Sequence, residues 1–374
     1  MSVVIAVDSF KGSLSAAAAA EALAEGWRRV LPDADLRLLP MADGGEGTLD
    51  AFAAAVPGAR RVAVRVTGPA GTAVDAHWLL LPPTPRASAG TAVVELAATS
   101  GIELLGSPPA LRPLDAGTRG VGQAIAAALD AGVSRIVVGI GSSASTDGGA
   151  GLLQALGADL TDAAGTAIAD GGRGLATLAA VDLTGLRALP CGGVTVLTDV
   201  RSPLIGPEGA AAVFGPQKGA APSDVRMLDA ALARWAALCG VDPRTPGAGA
   251  AGGAGSGLLV WGATLEPGAA AVGELIGLEE AVAAASVVVT GEGAFDGQSS
   301  TGKVPGHVAA LAAAHGVPVM LVAGRIAPDA ATGAFARTVS LTELAGGVAG
   351  ATGDPRRWLR EAGESLARRT MGTS

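Results

Sequence analysis

Short apolar segments rich in β-branched residues set the tightest limit on how this chain folds. They fall at residues 3–7, 135–139, 286–289 and 317–322. None alternates polar with apolar residues, so a strand built from any of them expects to be covered on both faces. Stretches of helical periodicity lie between them. An Ala-rich stretch that Ser13 or Ser15 can cap places Leu23, Trp27 and Val30 on one face, and Pro32 stops it. Strands of this kind alternating with helices predict a parallel sheet sandwiched by helices.

Residues 1–60 read as strand, helix, strand, helix, with the second strand at 35–39 and the second helix at 45–56. The same style resumes near the end, with strands at 286–289, 317–322 and 338–341 and helices at 304–314 and 355–369. The middle differs. Strands at 62–66, 73–81 and 91–95 are separated by short Gly/Pro links, which favours hairpins and a mixed sheet. A helix at 121–131, a strand at 135–139 and a Gly-rich loop follow, then a strand at 195–197 and a loop-rich stretch. Residues 246–257, PGAGAAGGAGSG, read either as a tether or as a backbone anion-binding loop. The expected fold is therefore α/β: a domain of residues 1–60 plus 285–374, interrupted by an inserted α/β domain of residues 61–284 with a mixed sheet. The default ligand site is the cleft between them.

A chain of 374 residues with 49% hydrophobic content has material for two cores. Its formal net charge of −8 argues against nucleic acid or an anionic membrane as partner. Two cysteines, Cys191 and Cys239, supply neither a disulfide framework nor a metal cluster, which fits a reducing cytoplasm. The first residues lack the basic segment of a secretory leader, and the apolar stretch at 308–324 is broken by His315, Gly316 and Pro318. A cytoplasmic monomer or homodimer is expected. Only three of the 26 basic residues are lysines: Lys11, Lys218 and Lys303. They either mark places that need a compact point charge or are chance survivors.

Two glycine motifs are incomplete. Gly297 to Lys303 spells G-x-x-x-x-G-K, but Val304 stands where a magnesium-binding hydroxyl belongs. Residues 139–144 resemble a dinucleotide fingerprint, yet no clear strand leads to an acidic partner near Asp159 or Asp162. The latter loop, containing Gly141, Ser142, Ser143, Asp147 and Gly148, still suits phosphate through backbone and hydroxyl donors. Acids gather at the expected carboxyl ends of strands. Asp8, Ser9 and Lys11 follow the first; Asp43, Gly44, Gly45 and Glu46 follow the second; Thr290, Gly291, Glu292 and Asp296 follow a third. Each acid alone reads as a cap or turn residue, but three converging sets point to an active site. With Asp199 after a further strand and all three lysines beside glycine, the parts suit phosphoryl transfer: carboxylates for Mg²⁺ and a base, lysines for charge.

Together these blocks resemble the bacterial glycerate kinases of the first type: DSFKGSLSA at 8–16, PMADGGEGT at 40–48, GIGSSASTDGGAG at 139–151, TDVRSPLIG at 198–206, VFGPQKGA at 213–220 and TGEGAFDGQSSTGK at 290–303. The chain departs from that pattern at Arg119, Ser142, Thr146, Thr198 and Ser202. The resemblance implies a flavodoxin-like domain interrupted by a second α/β domain, and transfer of the γ-phosphoryl of ATP to D-glycerate with Mg²⁺. The implied product is 2-phosphoglycerate. Under it, Lys11 and Lys303 contact phosphate or the substrate carboxylate, and Arg325 grips that carboxylate. Asp8, Asp43, Asp199 and Asp296 belong to the catalytic set, with Asp199 favoured as base. Asp43, Asp199 and Glu292 are the Mg²⁺ candidates. Ser9, Gly44, Gly45, Glu46, Thr290 and Gly291, the 141–148 loop and Lys218 are expected to bind substrate or nucleotide. A kinase yielding 3-phosphoglycerate, a kinase for another small hydroxy acid and a non-catalytic sugar-acid sensor are the alternatives.

Overall fold

A computed structural model describes residues 1–297 and 303–371. Its thirteen strands, in chain order, are β1 (Ser2–Val7), β2 (Asp35–Leu38), β3 (Arg60–Thr67), β4 (Ala73–Leu81), β5 (Thr91–Glu95), β6 (Arg135–Gly139) and β7 (Asp159–Asp162), then β8 (Leu178–Asp182), β9 (Val194–Leu197), β10 (Thr264–Glu266), β11 (Val287–Phe295), β12 (Val319–Ile326) and β13 (Arg337–Ser340). The chain divides into two compact units. The first comprises Met1–Asp43, Asp50–Pro57 and Pro267–Ser374, and the second Gly44–Leu49 and Gly58–Glu266.

The first unit is built on a five-stranded sheet in the order β13-β12-β11-β1-β2, parallel throughout. The unbroken apolar run explains the central position of β1, since Val3 to Val7 are buried on both faces. On one face Val3, Ile5 and Val7 join Leu23, Trp27, Leu359 and Leu366 in a single core. Helix Ala16–Val30 begins where Ser15 accepts a hydrogen bond from Ala18 N, and helix Pro355–Met371 packs against it. That packing depends on two missing side chains. A Cβ on Gly26 would lie 1.9 Å from Arg360 O, and one on Gly363 would lie 2.2 Å from Leu23 O. Helix Val304–Ala314 packs against β11 and β12.

The second unit carries a six-stranded sheet in the order β10-β9-β6-β5-β4-β3. Its first four strands are parallel, while β4 and β3 run antiparallel, as the hairpin-like spacing predicted. β7 and β8 form a separate antiparallel ribbon. The α/β class, with one parallel and one mixed sheet, is as expected.

Several local expectations fail for physical reasons. Residues 246–257 are not a tether: Ala248, Ala250 and Ala254 are fully buried, and helix Ala254–Trp261 starts inside the segment. Small residues serve there because the backbone is crowded; a Cβ on Gly252 would sit 2.0 Å from Ser145 O. The stretch after β9 contains an 18-residue helix, Pro222–Cys239, which buries Leu228, Leu232 and Trp235. A strand does reach Asp159 and Asp162, as β7. The unit boundaries also differ from 60/61 and 284/285. Gly44–Leu49 goes with the second unit and Pro267 onward with the first.

Alanine is the better helix former by about 1 kcal/mol, yet Gly26→Ala is expected to destabilise the protein. The backbone of the partner helix must move to admit a methyl group, at a net cost of about 1–3 kcal/mol. Urea denaturation checks this, with Arg29→Ala as control. That residue's exposed pair with Glu364, N to O 2.7 Å, contributes at most about 1 kcal/mol.

Candidate active site

Because every strand of the first unit's sheet points the same way, the carboxyl ends of β1, β2, β11 and β12 lie along one edge, where open α/β sheets hold ligands. A cavity of about 560 Å³ opens there. Asp8, Ser9 and Lys11 come to it from β1, Asp43 from the stretch after β2, Glu292 and Asp296 from β11 and its end, and Arg325 from β12. Lys303 reaches it from the residue just before helix Val304–Ala314. Eight of the sequence-predicted residues are thus brought together. The opposite wall is largely apolar, with Leu341, Val348, Ala351 and Pro355.

Thr290 and Gly291 do not line this cavity. β11 continues past the expected end at Val289, with Gly291 and Gly324 letting β11 and β12 approach closely. A Cβ on Gly291 would meet Val322 O at 2.0 Å, and one on Gly324 would meet Gly293 O at 2.3 Å. Thr290 is fully buried and its hydroxyl donates to Ala6 O at 2.8 Å, so it serves the sheet. Of the G-x-x-x-x-G-K motif, residues 298–302 lie outside the described residues. His307 packs beside Gly273, away from the cavity.

The electrostatics of the cavity centre on Asp8, which is 9% exposed. Burial, followed by the neighbouring Asp43 carboxylate, pushes its carboxyl up to about 7; the Ser9 amide, donating to Oδ1 at 2.6 Å, and Lys11 pull the other way. A carboxyl poised near neutrality beside lysines in a cavity is the kind of perturbation that marks active sites.

Most of the remaining predicted residues belong to the second unit. The 141–148 loop follows β6 and Asp199 follows β9, whereas Gly44, Gly45 and Glu46 come after β2 and Lys218 lies in the turn Pro216–Lys218. Gly44 and Gly45 pack against the loop that follows β6. Gly141 N donates to Gly44 O at 3.0 Å, and a Cβ on Gly141 would lie 2.5 Å from Gly45 Cα. Glu95, at the end of β5 and 5% exposed, accepts from Gly47 N at 3.3 Å and Leu49 N at 2.9 Å, so it clamps the segment carrying Glu46. Sequence reasoning missed Glu95, although an acid ending a buried strand was visible there. Glu46, Glu95, Glu103 and Ser142 line a smaller cavity of about 230 Å³. Ser142 is exposed on the loop at φ 58°, a left-handed conformation unusual for a residue with a side chain.

Behind the loop the polar groups point inward. Asp147 is fully buried and accepts from Thr118 N (2.9 Å), Thr118 Oγ1 (2.8 Å), Gly149 N (3.2 Å) and Gly151 N (3.4 Å). Lys218 is 3% exposed; its Nζ donates to Ser143 Oγ at 2.7 Å and Ser145 O at 2.5 Å. Asp147, Ser143 and Lys218 are therefore buried, with polar atoms engaged within the protein. Burial pulls Lys218 down to about 7, opposed by the charge of Asp147, and burial pushes Asp147 upward against its four donors. Asp199, half-buried after β9, also belongs to the second unit. Arg119 is engaged by Asp170 at 2.7 Å and by Gln154 at 3.1 Å.

A profile of the glycerate kinase family matches residues 3–371. The chain belongs to the glycerate kinase family. It is 45% identical over 338 residues to the glycerate 2-kinase of Escherichia coli K12, covering 88% of this chain and 86% of that one. It is 46% identical to the glycerate kinase of Bacillus subtilis 168, with the same coverages. Among solved structures, a candidate glycerate kinase 2 from Salmonella typhimurium LT2 superposes with a TM-score of 0.84 at 42% identity, covering 100% of this chain and 99% of that one. The chain is thus an enzyme of this family. Among the described residues no helix is long and apolar enough to cross a membrane.

The raised Asp8 carboxyl predicts a pH-dependent cost. Its folded-state value, about 7, lies above the ordinary 3.8, so the folded chain holds a proton that the unfolded chain has lost between those values. Stability on this account falls as pH rises through that window, and the full penalty is present above 7. In the presence of a chelator, Asp8→Asn should therefore raise the apparent Tm at pH 8 and leave it nearly unchanged at pH 4. Equal shifts at both pH values would contradict the assignment.

Proposed function

We propose that the chain transfers the γ-phosphoryl group of ATP to the 2-hydroxyl of D-glycerate, giving 2-phosphoglycerate and ADP. The observation that carries this reading is the gathering of Asp8, Asp43, Glu292, Asp296, Lys11, Lys303 and Arg325 around one cavity. Glycerate kinase names among close relatives support the substrate. Phosphoryl transfer needs little covalent help from protein; it needs positioning, charge neutralisation and a group to take the hydroxyl proton.

Those parts are at hand. Arg325 presents a planar fork suited to two hydrogen bonds with the glycerate carboxylate. Asp8 takes the proton from the attacking hydroxyl, since a carboxyl held near 7 is a stronger base than an ordinary one yet is half ionised at neutral pH. In this reading Asp8 replaces Asp199 as the preferred base. Lys11 and Lys303 neutralise the oxygens of the transferring phosphoryl group, and Ser9 donates to substrate. In the second unit, the loop after β6 holds nucleotide phosphates at its exposed residue, Ser142.

The donor set fits Mg²⁺. Asp43 and Glu292 each raise the Asp8 carboxyl, so the corner carries crowded negative charge that a divalent cation relieves. Among the described residues no three His, Cys, Asp or Glu groups enclose a metal, and Mg²⁺ commonly takes only one or two carboxylates with water and phosphate oxygens. Asp43 and Glu292 would hold it, and the bound ion would supply further charge neutralisation at the phosphates. A cytoplasmic setting completes the proposal, in keeping with the free thiols of Cys191 and Cys239.

A coupled ADP-release assay with D-glycerate tests the reaction, and ³¹P NMR of the product distinguishes the 2-phosphate from the 3-phosphate. Release no faster than with water alone would reject the kinase reading. Lys11→Ala should lower kcat/KM at least about a hundredfold, the scale of losing one charge contact in the transition state. A near-normal value would remove Lys11 from the site.

A further inference from the structure

We infer that Lys218 sets nucleotide affinity as a positioning residue, holding the 141–149 loop in shape from its protein side without touching phosphate. The inference rests on the reading of that loop as a phosphate site. Its basis is geometric. The ammonium lies behind the loop at 3% exposure, with one donor spent on the Ser143 hydroxyl and one on the Ser145 carbonyl. Only the far side, at Ser142, is exposed.

The residue type fits that task. An ammonium is a compact charge with three rotatable donors, so it can hold a side-chain oxygen and a backbone oxygen at once. In a chain that uses arginine for 23 of its 26 basic residues, a buried lysine at a loop is a chemically specific choice. The turn that delivers it is equally constrained. Pro216–Lys218 forms a single tight turn, and Gly219 follows at φ 91° with its Cβ position 3.0 Å from Leu111 Cβ.

Lys218 and Asp147 divide the loop between them. The lysine fixes residues 143 and 145, and the carboxylate fixes the amides of Gly149 and Gly151 together with Thr118. Immediately before the first anchor stands Ser142 at φ 58°, a conformation that persists only when its surroundings over-determine it. A loop held in shape in advance binds an anion without first being ordered, so loosening the anchor should weaken ATP binding and leave glycerate binding alone.

The test is a double-mutant cycle of Lys218→Met and Ser143→Ala, reading KM for ATP and for D-glycerate with thermal melts alongside. Lys218→Met is expected to raise KM for ATP at least tenfold and Ser143→Ala a few-fold, with KM for glycerate within twofold of the parent. The double variant should be no worse than Lys218→Met alone, because the Ser143 hydroxyl matters as the acceptor for Lys218. Multiplying effects would mean that Lys218 reaches phosphate independently, and would overturn the proposal; so would an unchanged KM for ATP. If Lys218→Met does not fold, Ser143→Ala decides on the same criterion. Ser142→Asp, on the exposed side, separates the two ideas. If it leaves KM for ATP unchanged, the phosphate reading of the loop fails and this inference falls with it. If it raises that KM while the Lys218 and Ser143 variants do not, only the role given to Lys218 fails.

Discussion

The parallel pairing of β1 with β11, and of β11 with β12, is the constraint on which the chemistry of the first unit depends. Strands so paired end on the same edge, and register then decides which side chains share it. Val7 lies opposite Gly291 and Glu292 opposite Ala323, so the residues just beyond, Asp8 and the β11 acids, arrive side by side. A one-residue slip would turn Glu292 to the other face of the sheet. The absence of Cβ atoms at Gly291 and Gly324 is what lets β11 and β12 keep pairing that far. Backbone packing therefore places carboxylates that no solvent-exposed loop would hold so close together.

That closeness has a cost, visible in the raised Asp8 carboxyl. A fold selected only for stability would replace one of these acids with an apolar or amide side chain. Crowding of this kind is what marks candidate active sites. The second unit solves a related problem differently. Its buried Asp147 is surrounded by four donors, so charge there serves structure instead of being held in reserve.

The fold class was legible because buried β-branched runs have few ways to be covered, and β1, β4, β5 and β6 lie close to their expected positions. Most of the cavity residues were legible because they lie at or just beyond the ends of β1, β2, β11 and β12. What escaped was tertiary. Residues 246–257 look flexible by composition, but most are buried and positions such as Gly252 and Gly255 leave no room for a Cβ. Helix Pro222–Cys239 lay in a stretch read as loop, and Thr290 looked like a ligand residue because the glycines after it suggested a strand end. Lys218 stood out by rarity, but the direction of its ammonium depends on a loop some seventy residues earlier in the chain.

The discontinuous first unit also has a consequence for synthesis. β1 pairs with β2 only 33 residues on, but its other neighbour begins at Val287. Helix Ala16–Val30 likewise waits for Pro355–Met371. As the chain leaves the ribosome, the second unit can complete its own sheet while the amino-terminal segment still has an open strand edge and an uncovered apolar face. Contacts of such long sequence separation are slow to form, and exposed edges invite association with other chains. The nascent protein is most vulnerable after residue 266 has emerged and before β11 and β12 close the sheet.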